Sequence, residues 1–132
     1  MGKKIKEQYF SYKYEKDIQG LINRLSNYSM RSRKDGVLSL ENDVNEDKNT
    51  FLKRVLSNVI DGCSTEVIKE DSEILIKYYI QDIKKKKKKK KIKKQMQMIL
   101  LAGMKIQNGS APRTVKSILL CFYPYLNVKS QY

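Results

Sequence analysis

The chain has 132 residues, no histidine, two cysteines and a net charge of +14. That length fits one small domain. The composition leaves a zinc site without a ligand set and a Ser–His or Cys–His nucleophile pair without its base. Ten of the positive charges are Lys84, Lys85, Lys86, Lys87, Lys88, Lys89, Lys90, Lys91, Lys93 and Lys94, and without them the net charge is +4. One low-complexity segment therefore sets the basicity, and the rest of the chain is only mildly basic.

Residues 1–15 are basic and aromatic, with Tyr9, Phe10, Tyr12 and Tyr14 close together. That mixture suits a membrane–water interface and equally the packed start of a helix. The basic start is not followed by an apolar stretch, so no signal peptide is read. Lys6 stands where a myristoylation motif wants Ser or Thr.

Residues 16–83 read as a helical region. Ile18, Leu21, Ile22, Leu25 and Tyr28 recur at spacings of three and four, the mark of an amphipathic helix. Asp17 lies at its start, favourable for the macrodipole. The pattern runs on through Met30, Val37, Leu38 and Leu40, with Gly36 marking a bend or a close contact. Asn42 to Asn49 is polar and reads as a turn. A second helix begins near Thr50 and presents Phe51, Leu52, Val55, Leu56, Val59 and Ile60, and Asp61-Gly62 stops it. Ser64 caps a third helix, with Glu66 in its first turn. Val67, Ile68, Ile74, Leu75, Tyr78, Tyr79 and Ile83 carry that helix on.

Residues 84–94 read as a solvated lysine linker, because adjacent like charges repel. The competing reading draws the run into one helix with its neighbours, since lysine has good helix propensity. Residues 95–126 read as a helix over Gln95 to Gln107, a stop at Asn108-Gly109, and a last helix capped by Ser110. Pro112 lies in the first turn of that helix. Val115, Ile118, Leu119 and Phe122 form its apolar face, and Pro124 ends it. Residues 127–132 are a tail. The class is all-α, with four to five helices in a small antiparallel bundle or extended hairpin. The longest apolar run, Met98 to Met104, is far short of the ~20 residues that a bilayer requires.

Chemistry is scarce. There is no glycine-rich phosphate loop. Glu70, Asp71 and Glu73 read as the wet side of a helix, and Cys63 and Cys121 as buried free thiols. No catalytic residue, metal or cofactor is expected, and the chain is read as a non-enzyme. The lysine run can meet nucleic acid through counterion release or an anionic membrane surface. No aromatic residues interleave with it, so the single-strand-binding pattern is absent.

More specific signals lie elsewhere. Arg31-Ser32-Arg33-Lys34-Asp35-Gly36-Val37-Leu38-Ser39-Leu40-Glu41 combines basic residues, a glycine, a short apolar stretch and a Leu-Glu ending. Phe51-Leu52-Lys53-Arg54 and Val59-Ile60-Asp61-Gly62 follow it. Farther on come Ile106-Gln107-Asn108-Gly109-Ser110-Ala111-Pro112-Arg113-Thr114-Val115, then Phe122 and Pro124. In this order the segments resemble the cytoplasmic parts of the flagellar motor stator A-subunit family (MotA type, among the MotA/TolQ/ExbB proton channels). The likeness covers most of residues 9–124 apart from the lysine run.

The resemblance implies a module that meets the rotor through Arg33 and Glu41, with Arg31 and Lys34 as auxiliary contacts. Eight residues on one helix span ~12 Å, which places the pair on a similar side. Opposite charges so displayed register a contact with a complementary pair. The implied partners are a flagellar rotor switch protein, the stator B subunit and other A-type subunits, at the inner face of the cell membrane. The family also has two pairs of membrane helices, one before the first segment and one between the segments. The first pair is absent here, and the lysine run stands in place of the second. Ion conduction is therefore not expected of this sequence.

Overall fold

In the computed structural model, which describes residues 12–126, Asp17 opens the first helix by accepting the Gly20 N–H at 3.0 Å. This helix, α1, runs Ile18–Asp35 and buries Ile18, Leu21, Ile22, Leu25 and Tyr28. It does not continue through Leu40. Gly36 takes φ 87°, a left-handed conformation that side chains with a Cβ disfavour. A 3-10 turn, η1 (Val37–Leu40), and a short helix, α2 (Glu41–Glu46), follow. The stretch expected as a turn is therefore partly helical. Leu40 and Val44, four apart, are both fully buried in the core, and that burial holds α2 in place despite its polar composition.

Asn49 caps α3 (Thr50–Ile60), its Oδ1 accepting the Leu52 N–H at 2.9 Å. Phe51, Leu52, Val55, Leu56 and Val59 are its buried face, as the spacing predicts. Ser64 caps α4 (Thr65–Ile80). Its buried face is Ile68, Ser72, Ile76 and Ile80, while Val67 and Ile74 are exposed. The apolar residues of this helix are too evenly spread for spacing to choose among them.

Most of the lysine run is helical and continues into the helix that follows it, while Lys84 and Lys85 stay in the connection after α4. Helix α5 spans Lys86–Gln107, about 33 Å. Its C-terminal half is deeply buried through Met96, Met98, Ile99, Ala102 and Gly103. Once that half is nucleated by packing, each added residue costs little, and Ile92 adds a buried anchor within the run. The last helix, α6 (Pro112–Leu120), starts with proline in its first turn and has Ala111 rather than Ser110 at its N-cap.

The described residues form six α-helices and one 3-10 turn, followed by a helical stretch at 124–126, and include no strand. The class is all-α, and the helix count exceeds the expected four to five. The principal contacts are α1 with α6, and α5 with both α3 and α4. Gly103 lies at the crossing of α3 and α5, where a Cβ would collide with Val55 Cγ1. The chain runs back and forth, so the bundle has two distinct ends. One gathers the Tyr12–Lys16 segment with the end of α4 and the start of α5. The other gathers the end of α1, the α3–α4 turn and the α5–α6 turn.

Both cysteines are free, but neither is fully buried: Cys63 is half-buried and Cys121 exposed. Among the described residues, no helix is long and apolar enough to cross a membrane. The expectations for residues 1–11 and 127–132 lie outside the described residues.

Candidate interaction surface

The end of α1 carries Arg33 and Lys34 in its last turn, and the start of α2 carries Glu41 and Asp43. Each sign sits at the helix end whose dipole favours it. The break at Gly36 corrects the geometry expected for the pair: Arg33 and Glu41 project from separate helices, not from successive turns of one. Between them Leu38 is 69% exposed. Spacing assigned Leu38 to the apolar stripe of a continued helix, and the break instead turns it outward. The result is a basic patch, an exposed leucine and an acidic patch in chain order.

The four residues expected at this surface differ in their ties. Arg33 Nη1 donates to the Gly109 carbonyl at 2.7 Å, yet the side chain stays exposed. Arg31 is engaged within the chain: Nη2 donates to Ser39 O at 2.7 Å and Nη1 pairs with Asp43. It braces η1 and α2 against α1. Lys34 and Glu41 are exposed.

The same end is fastened by other long-range contacts. Ser29 Oγ donates to Ser110 O at 3.4 Å. Gln107 Nε2 donates to the Cys63 carbonyl, tying the α5–α6 turn to the α3–α4 turn. Sequence spacing cannot reveal these, because carbonyl acceptors belong to every residue type alike.

Beyond this end, Asp71 is not simply solvated. It accepts from Arg54 at 2.8 and 3.1 Å and from Asn58 at 2.8 Å. The hydrogen bond from Arg54 holds its carboxyl below the usual range. Glu70 and Glu73 are exposed, as expected. Among the described residues, no group of three or more His, Cys, Asp or Glu side chains is placed to hold a metal ion.

At the opposite end a polar network fixes the chain entering α1. Gln95, fully buried, accepts from the Tyr12 hydroxyl at 2.5 Å and the Glu15 N–H at 3.0 Å, and donates to the Glu15 carbonyl at 2.9 Å. Arg24 bridges Glu15 at 2.7 Å and Asp47 at 2.9 Å. Burial, reinforced by Asp47, pushes the Tyr28 hydroxyl up to about 12. Tyr12 also packs against Phe51 and Tyr79. In the lysine run, Lys84 and Lys85 precede α5, Lys89 is half-buried, and Lys86, Lys87, Lys88, Lys90, Lys91, Lys93 and Lys94 are exposed.

An open groove of about 610 Å³ lies between α4 and α5, with Ile76, Ile80 and Leu100 among its lining and Lys69, Lys77 and Lys93 around it. No protein-family model and no curated protein matches the chain.

Proposed function

We propose that the chain is the rotor-facing helical module of a flagellar stator A-type subunit, an interaction part that does not itself conduct ions. One observation carries the reading. The two segments that bear the resemblance, 31–41 and 106–115, are distant in sequence yet meet at one end of the bundle. The bond from Arg33 to the Gly109 carbonyl spans 76 positions, and Ser29 meets Ser110 beside it. Segments that carry one resemblance and act together are expected to converge in this way.

The mechanism is electrostatic registration. Arg33 and Lys34 offer positive charge, Glu41 negative charge, and Leu38 an apolar contact between them. Such complementarity sets orientation and encounter rate more than raw affinity. Arg31 acts here as a brace. The partner is a rotor switch protein whose charged helix carries the opposite signs.

The place where the family's second membrane pair would leave the bundle, between α4 and α5, lies at the far end from this surface. That polarity suits a module with its rotor face turned away from the inner face of the membrane. The test is binding to a rotor switch protein, compared between the natural chain and its Glu41→Lys variant.

A further inference from the structure

The end opposite the rotor-facing surface carries a charge that the proposed function leaves unused. Residues 12–17 and 81–94 contain twelve lysines, and their only acids are Glu15, Asp17 and Asp82. Glu15 is paired with Arg24, and Asp17 caps α1. Six of the lysines occupy Lys86–Lys91 at the start of α5, which has no acidic residue in its first turn and no side-chain cap. Like charges packed onto a helix repel one another, and a positive helix N-terminus adds to the repulsion. This concentration of charge is relieved by a polyanionic surface.

The two segments also form a concavity of about 530 Å³, lined by Lys13, Lys16, Lys88, Lys91, Tyr12 and Tyr14. Here the tyrosines lie beside the lysines. The Lys91 ammonium sits 4.3 Å from the centre of the Tyr14 ring, and that of Lys94 sits 4.4 Å from the Tyr123 ring. Tyr125 packs edge-on against Tyr123 and is itself exposed.

We infer that this end docks on an anionic phospholipid surface, with lipid phosphates and carboxylates meeting the lysines and the concavity accepting a headgroup. Two features favour a bilayer over nucleic acid. An ammonium group sits over one face of the Tyr14 ring and one face of the Tyr123 ring, which reduces the ring surface open to base stacking, whereas tyrosine beside lysine is the usual chemistry of the headgroup layer. In addition, α5 winds the lysines around its whole exposed circumference, which makes a charged cap rather than a groove that follows a strand. Docked this way, the bundle directs its other end away from the membrane. The inference stands on this end alone and does not rest on the rotor reading.

The test is co-sedimentation of the full chain with phosphatidylcholine vesicles, with and without about a third phosphatidylserine. The natural chain is expected to bind the anionic vesicles and not the neutral ones, with binding lost as salt is raised. A K86Q/K87Q/K88Q/K90Q/K91Q variant keeps good helix formers and is expected to bind at least about tenfold more weakly, with unchanged helix content by circular dichroism. Equal binding to neutral vesicles would overturn the inference, as would insensitivity to salt. So would a preference for an oligonucleotide over anionic vesicles at equal phosphate. The natural chain's lipid and salt series decides the matter even if the variant does not fold. These results leave the rotor-facing end untested, so the two readings fail separately.

Discussion

The Arg33 guanidinium donates through Nη1 to the Gly109 carbonyl at 2.7 Å, across 76 positions of sequence. This bond joins the end of α1 to the turn before α6 and fixes the base from which the charged surface projects. Arg33→Ala removes it from an exposed site, and the loss expected in urea denaturation is about 0.5–1.5 kcal/mol. Arg33→Lys keeps the charge without the planar donor fork, so it is expected to lose stability while keeping most of the proposed rotor contact.

Gly103 is where α3 and α5 approach most tightly. A Cβ there would meet Val55 Cγ1, and valine, branched at Cβ, cannot swing aside. Gly103→Ala is expected to destabilise by about 1–3 kcal/mol despite alanine's better helix propensity. Adding Val55→Ala is expected to offset part of that loss. A thermal-melt comparison of the single and double variants measures the coupling.

Gln95 is the buried partner of Tyr12 and of both backbone polar groups of Glu15. Gln95→Ala leaves those groups without their partner, at a cost of about 1–3 kcal/mol. The local consequence is release of the segment before α1, seen as faster amide exchange around Glu15 with slower change in α3.

The Arg54–Asp71 pair links α3 to α4. The Arg54 hydrogen bond lowers the folded-state pKa of Asp71. Its contribution is therefore present above the unfolded carboxylate pKa and lost as pH falls through the lowered folded value. The pair is partly exposed, which limits its worth to about 1 kcal/mol or less. Asp71→Asn is expected to reduce stability near neutral pH and to flatten the acid limb of a plot of melting temperature against pH.

Much of the fold is legible in the sequence because local chemistry and burial agree. Asp17, Ser64 and Gly62 act at the helix ends where their side chains or backbone freedom suit them, and the buried faces of α1 and α3 follow their spacing. Agreement fails where tertiary packing decides. Leu40 and Val44 hold α2 within a stretch whose polar residues resemble a turn. Ser72 is buried in α4 while Ile74 is exposed, because the helix offers apolar residues on more than one side. The lysine run becomes helical because Ile92 and the buried half of α5 anchor it. At the candidate surface the residue types were legible, but the break at Gly36, the exposure of Leu38 and the inward role of Arg31 depend on the folded backbone.

The end bearing Arg33, Lys34, Leu38 and Glu41 is the proposed contact for a flagellar rotor switch protein. The most direct measurement is calorimetric titration of such a protein with the natural chain and with Glu41→Lys, alongside a thermal melt of each. Glu41 is exposed in the first turn of α2, so the variant is expected to lose no more than about 1 kcal/mol of stability, from placing a positive charge at a helix start. The natural chain is expected to bind and the variant to bind at least about tenfold more weakly, as for reversing a charge at a complementary contact. Equal affinity in the two chains, or no binding by the natural chain, would contradict the proposed contact.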